Sequence, residues 1–174
     1  ENGKIKRISS EMIENISKTG GHVASNLGMV EITLALLRVF NFDNDKIVFD
    51  VGHQCYTHKI YTGRKNDFTG LRKYKGLSGF PSPNESMHDA FISGHGSAAI
   101  SVAIGLATAK KLKGETGKVI AMVGDGAFTG GMAYEGLNNV DVSLDNLIII
   151  LNDNKMSISK NVGACIISCN IKNV

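Results

Sequence analysis

Two uninterrupted apolar runs constrain this chain more than any other feature: Val119-Ile120-Ala121-Met122-Val123 and Leu147-Ile148-Ile149-Ile150-Leu151. Both are too short for a buried helix, and neither alternates with polar residues. That pattern belongs to strands covered on both faces, as in a parallel sheet packed between helices. The segment between the runs is long enough for one helix, so the pair predicts a βαβ unit with a right-handed crossover. Each run ends in oxygen-bearing residues, Gly124-Asp125-Gly126 after the first and Asn152-Asp153-Asn154 after the second. In a parallel sheet both ends emerge at the same edge, where ligands bind.

The remaining elements are built around this unit. A third, shorter strand is predicted at 46–51. Amphipathic spacing predicts a helix over 5–18, broken by Gly20-Gly21, and a strongly apolar one over 27–40, with Leu34, Leu37 and Val39 among its core candidates. Residues 62–90 hold both prolines (Pro81, Pro83) and read as a long loop, with a helical turn near 67–74. Long loops inside compact domains are often functional. Gly94-His95-Gly96-Ser97 opens a helix to about Leu112, apolar on nearly every face and so predicted buried. A helix over 128–139 links the two apolar strands. The expectation is one α/β domain over 1–174, a parallel sheet flanked by helices.

Composition excludes several classes. A net charge of +3 with dispersed basic residues gives no reason to expect nucleic acid. Lys110, Lys111 and Lys113 read as a solvated last helical turn that complements the helix dipole. No apolar run approaches the roughly 18–20 residues of a membrane span. Three cysteines (Cys55, Cys165, Cys169) are too few and too oddly numbered for a disulfide framework. With no signal-peptide pattern at the start, they predict a reducing, cytoplasmic setting.

Asp125 alone would read as a helix cap, and Asn152-Asp153-Asn154 alone as a turn. At the ends of consecutive parallel strands they form a set of oxygen donors suited to Mg²⁺, a hard cation that commonly shares its shell with substrate phosphates. Gly126-Ala127 stands at a helix start, where free N–H groups and the helix dipole favour phosphate oxygens. Gly94-His95-Gly96-Ser97 repeats that arrangement. Together they predict a metal-bridged diphosphate site. Of the five histidines, His22, His53 and His95 lie at element ends, where site residues concentrate. His88 reads as structural, and His58 lies between these cases. The histidine spacings match no zinc ligand pattern.

These segments resemble the thiamine-diphosphate-dependent transketolase superfamily, whose cofactor motif is Gly-Asp-Gly followed after about thirty residues by Asn. Gly124-Asp125-Gly126 and Asn154 match it. Within the superfamily the chain is similar to the 1-deoxy-D-xylulose-5-phosphate synthase family. The similarity rests on Gly20-Gly21-His22-Val23-Ala24-Ser25-Asn26-Leu27-Gly28, Asp50-Val51-Gly52-His53-Gln54 with His58-Lys59, Gly124 to Glu135, and Leu151 to Ser159, and runs from about Glu14 to Ala164.

The resemblance implies thiamine diphosphate and Mg²⁺ as cofactors. It assigns Asp125, Asn154 and the Met156 carbonyl to the metal, and Gly126 and Ala127 to the diphosphate through backbone N–H groups. Gly94, His95, Gly96 and His53 line the cofactor, and His22 assists proton transfer at the reacting centre. It implies condensation of pyruvate with glyceraldehyde 3-phosphate to 1-deoxy-D-xylulose 5-phosphate and CO₂, in a homodimer. Three departures qualify the match. Gly96, Ala98 and Ala99 stand where the family carries hydroxyl side chains, and the tail from Cys165 to Val174 is atypical. The family's activating glutamate, carried on a later domain, is not among these residues. The expectation is therefore the N-terminal, diphosphate-binding part of such an enzyme, inactive by itself. The alternatives are a diphosphate-binding subunit of a split transketolase and a non-catalytic remnant.

Overall fold

In the computed structural model, residues 2–153 are described. Helix α1 (Asn2–Thr19) is followed by α2 (Val23–Leu27), α3 (Val30–Val39) and strand β1 (Lys46–Phe49). A short helix α4 (Tyr56–Lys59) runs through a π turn (Ile60–Arg64) into a 3₁₀ segment (Lys65–Gly70). Helix α5 (Ala99–Lys113), strand β2 (Val119–Gly124), helices α6 (Asp125–Phe128) and α7 (Gly131–Asn138), and strand β3 (Leu147–Asn152) complete the order. The three strands are parallel in the order β1-β2-β3, with Phe49 opposite Met122 and Gly124 opposite Asn152. All three C-terminal ends therefore share one edge.

Side chains leave the sheet alternately, as the pleat requires. Ile47, Phe49, Ile120 and Met122 face a core built with Ile8, Met12, Ile16, Met29, Val30 and Leu36 of α1–α3. Val48, Val119, Ala121 and Val123 face the other way, against Ala99, Ile100, Ala103 and Ala107 of α5 and Ala133 of α7. The spacing of Ile8, Met12 and Ile16 puts them on one side of α1, which explains its docking. The second layer is rich in alanine, so α5 packs close to the sheet.

Several elements differ from the sequence expectation. The helix expected over 27–40 is two helices, α2 ending at Leu27 and α3 starting at Val30; the N–H of Gly28, which caps α2, closes back on Ala24 O. The helix expected over 128–139 is broken between α6 and α7, because Gly130 is extended (φ −78°, ψ 142°) and Ser97 packs onto it. A Cβ on Gly130 would overlap Ser97 Oγ. β1 stops two residues early, where Val51 takes a positive φ of 59°. Helical structure begins at Tyr56, well before the expected turn. α5 is buried along Ala99, Ile100, Ala103, Ala107 and Lys110, while Ser101, Gly105 and Ala109 face out. Lys110 is buried, not solvated, and donates to Thr116 O at 2.8 Å.

The loop from 71 to 98 is held by a buried charged cluster. Arg64 donates two bonds to Asp89, at 2.6 and 2.8 Å. His58 Nε2 donates to Asp89 Oδ1 at 3.2 Å, and the Ser82 N–H to Asp89 Oδ2 at 2.8 Å. Lys59, fully buried, pairs with Glu85, which also accepts the Ser78 N–H at 2.6 Å. Burial alone would push the Asp89 carboxyl up. The Arg64 fork, His58 and the Ser82 N–H outweigh that and hold it well below the usual carboxylate range.

Because Asp89 ionises more readily folded than unfolded, its contribution is present above about pH 4 and lost as pH falls below it. Arg64→Ala is expected to cost about 3–5 kcal/mol in urea unfolding, since it leaves a carboxylate buried without its cation. Lys65→Ala, which removes a solvent-exposed pair with Glu11, is expected to cost about 1 kcal/mol or less. Equal losses for the two variants would show that the buried cluster does not hold the loop.

Candidate active site at the sheet edge

Asp50 follows β1 directly and is almost fully buried. Its carboxylate accepts the Ser97 N–H at 2.7 Å and the Ala99 N–H at 3.0 Å, at the start of α5. It therefore caps a helix 47 residues further along the chain. Burial pushes its carboxyl up, and the N–H groups of Ala99 and Ser97 act against that. The Ser97 hydroxyl in turn donates to Ala127 O at 2.6 Å. The loop 94–97 is thus fixed at one side to β1 and at the other to α6.

These bonds decide what the two glycine-rich turns can offer. At α5, the Ser97 and Ala99 N–H groups are taken by Asp50, so that helix start is already answered by a carboxylate. Space is open at Gly94 and Gly124, where an added Cβ would meet no atom within 4 Å. Asp125 is the first residue of α6, with Gly126 and Ala127 in the same first turn. N–H groups of a first turn have no acceptor within their helix.

His22 precedes α2, and His53 follows β1. Their rings meet edge to face, with centroids 5.0 Å apart and an interplanar angle of 68°. His22 lies at the surface; partial desolvation and the nearby Arg72 guanidinium hold it below the ordinary histidine value. Burial lowers His53, and His22 lowers it further. Two neutral imidazoles can accept or relay a proton at neutral pH. His53 Nδ1 is buried without a hydrogen-bond partner among the described residues, which is the state expected of a group that faces a ligand.

The structure thus brings His22 to His53, Gly96 near Val51, whose side chain an added Cβ would meet at 3.7 Å, and the loop 94–97 to Ala127. His95 is exposed and flanks a small apolar pocket with Phe91, Ile92 and Val102. Asn154 and Met156, expected at the metal with Asp125, lie outside the described residues. Sequence reasoning missed Asp50 as a site-building residue, although a carboxylate straight after a buried strand is the same signal that singled out Asp125. It also missed Asn26, fully buried beside both histidine loops.

Comparison with known proteins identifies the family and the fold. The family model described as 1-deoxy-D-xylulose-5-phosphate synthase matches residues 4–171. A protein of that name from Alkaliphilus oremlandii is 59% identical over 164 residues, covering 92% of this chain and 26% of the relative. One from Clostridium beijerinckii is 60% identical over 162 residues, covering 91% of this chain and 26% of the relative. The chain spans about a quarter of the length of these curated relatives. Among solved structures, a transketolase from Leishmania mexicana superposes with a TM-score of 0.75 at 22% identity, covering 88% of this chain and 27% of that one. A transketolase from Pichia stipitis gives 0.77 at 22% identity over the same shares. These likenesses establish the transketolase fold.

If Asp50 holds the loop 94–97, Asp50→Asn turns one acceptor into an amide facing an N–H. A loss of about 1–2 kcal/mol is expected, in the range of a lost helix cap. Hydrogen exchange at Ser97 and Ala99 should accelerate. Unchanged exchange at both amides would contradict the capping role.

Proposed function

The chain belongs to the 1-deoxy-D-xylulose-5-phosphate synthase family, and on that basis we propose that it is the diphosphate- and Mg²⁺-binding part of a thiamine-diphosphate-dependent transferase of the transketolase type. The whole protein would condense pyruvate with glyceraldehyde 3-phosphate to 1-deoxy-D-xylulose 5-phosphate and CO₂, as the opening step of isoprenoid, thiamine and pyridoxal precursor synthesis. The observation that carries this reading is the convergence of Asp125, the loop 94–97 and the His22–His53 pair at one sheet edge.

The residues present fit the cofactor. The orphaned Nδ1 of His53 and the open space at Gly94 and Gly124 leave both polar contact and room for a ligand. In this reading Asp125, Asn154 and the Met156 carbonyl hold Mg²⁺. Gly126 and Ala127 offer N–H groups to the diphosphate, and Gly94, His95, Gly96 and His53 line the cofactor. When bound, the cofactor supplies the electron sink that accepts the pair released as CO₂ leaves.

His22, neutral and at the mouth of the site, accepts or returns a proton on the substrate oxygen. The ring of His53 backs it, and partial desolvation with the nearby Arg72 guanidinium keeps it in the neutral form. Asp50 and Ser97 keep the loop 94–97 in place without touching substrate. A homodimer and a cytoplasmic location belong to the same reading. The latter is consistent with the free, buried Cys55, whose thiol burial pushes up to about 12, far from the reactive range. Among the described residues no helix is long and apolar enough to cross a membrane.

Calorimetric titration of thiamine diphosphate tests the proposal. Binding is expected with Mg²⁺ present, to disappear with EDTA, and to be lost in Asp125→Ala while the free energy of unfolding stays within about 1 kcal/mol of the parent, as befits a residue outside the core. Metal-independent binding, or normal binding by the variant, would sink the metal assignment.

A further inference from the structure

Asn26 carries a fully used carboxamide in a position with no solvent exposure. Its Nδ2 donates to His22 O at 2.6 Å and to His53 O at 2.7 Å. Its Oδ1 accepts the Tyr56 N–H at 2.9 Å. Both amide hydrogens and the carbonyl are thus spent on backbone groups of two segments far apart in sequence. The two carbonyl groups that converge on this one nitrogen belong to the two histidines whose rings touch.

We propose that Asn26 is a positioning residue that sets the His22–His53 ring contact by clamping the two histidine backbones to a single amide nitrogen. Neither ring is held by a hydrogen bond of its own among the described residues. His22 makes no side-chain capping bond to α2, and His53 Nδ1 has no partner. The rings therefore take their places from the backbones that carry them and from each other.

The residue type follows from the bonds. The site needs two donors toward carbonyl oxygens and one acceptor toward an N–H, within one short side chain. Only a carboxamide supplies that set. Gln is one methylene too long for a fully packed position. Asp has the shape of Asn but would set a carboxylate against two carbonyl oxygens. Leu matches the size and would orphan all three backbone groups, and buried orphans are costly.

This inference rests on the functional reading of His22 and His53, but the ring contact that tests it is read without the cofactor, so the two can fail separately. In the unsubstituted chain, nuclear Overhauser contacts between the His22 and His53 ring protons are expected, and the Asn26 side-chain amide protons should exchange more slowly than those of exposed asparagines. In Asn26→Asp the ring contact should vanish while backbone resonances of the sheet persist. Leu36→Ala, a core truncation in α3, should lower the melting temperature and keep the ring contact.

A ring contact that survives in folded Asn26→Asp would overturn the proposal, as would its loss in Leu36→Ala. If Asn26→Asp does not fold, the amide exchange of the unsubstituted chain decides. Slow exchange supports the clamp, and exchange at the exposed rate overturns it. Loss of the ring contact in Asn26→Asp with cofactor binding unchanged would uphold the clamp and count against the histidine roles instead.

Discussion

The buried carboxylate of Asp50 is the bond on which the rest of the sheet edge depends. It leaves β1 at the point where the chain stops pairing with β2, and it ends on two N–H groups at the start of α5. A helix start carries unpaired donors and a partial positive charge. A buried carboxylate needs both. Each feature would be costly alone in the interior, and the pairing removes both costs at once. Through Ser97 the same bond reaches Ala127, so the first residues after β1, the opening of α5 and the first turn of α6 are fixed relative to one another.

Asn26 and the Arg64–Asp89–Lys59–Glu85 cluster repeat this solution. In each, a buried side chain satisfies backbone groups of a loop: Asn26 the carbonyls of His22 and His53, Asp89 the N–H of Ser82, Glu85 the N–H of Ser78. Apolar packing could not do this, because it has no direction and leaves backbone groups unpaired. The cost is desolvation of several charges. Opposite charges balance within the cluster, with His58 held neutral by burial against the pull of Asp89. Breaking one member leaves the others unpaired, which is why such clusters hold a loop in one arrangement.

The division between what the sequence discloses and what it hides follows from this physics. The strands β2 and β3, their parallel pairing and their shared edge were legible, because continuous apolar runs have one stable use in a chain of this kind. Asp125, His22 and His53 were legible as site candidates from their places at element ends. The break at Gly130 was not, because it depends on Ser97, a residue far away in sequence that needs the space a side chain would fill. The buried side of Lys110 and the cap by Asp50 were hidden for the same reason: each is decided by a long-range or loop partner that local pattern does not contain. Asn26 lies outside the helices expected from the sequence, and local pattern gives its side chain no role. Only its placement under the loop of His53 shows why a carboxamide is required.

The two kinds of interaction carry different responsibilities. The apolar layers on either side of the sheet set most of the stability, and they are indifferent to small changes at the edge. The polar clamps at the edge set geometry, because each directional bond fixes a loop in one arrangement. A site assembled from four separate loops needs the second kind. Its histidines, its glycine-rich turns and its strand-end carboxylate come from segments that share no continuous backbone, so directional bonds must hold them in register. Stability and site geometry should therefore respond to different substitutions in this domain, with the core tolerant of repacking and the edge intolerant of any change in hydrogen-bonding pattern, even one that preserves size and shape.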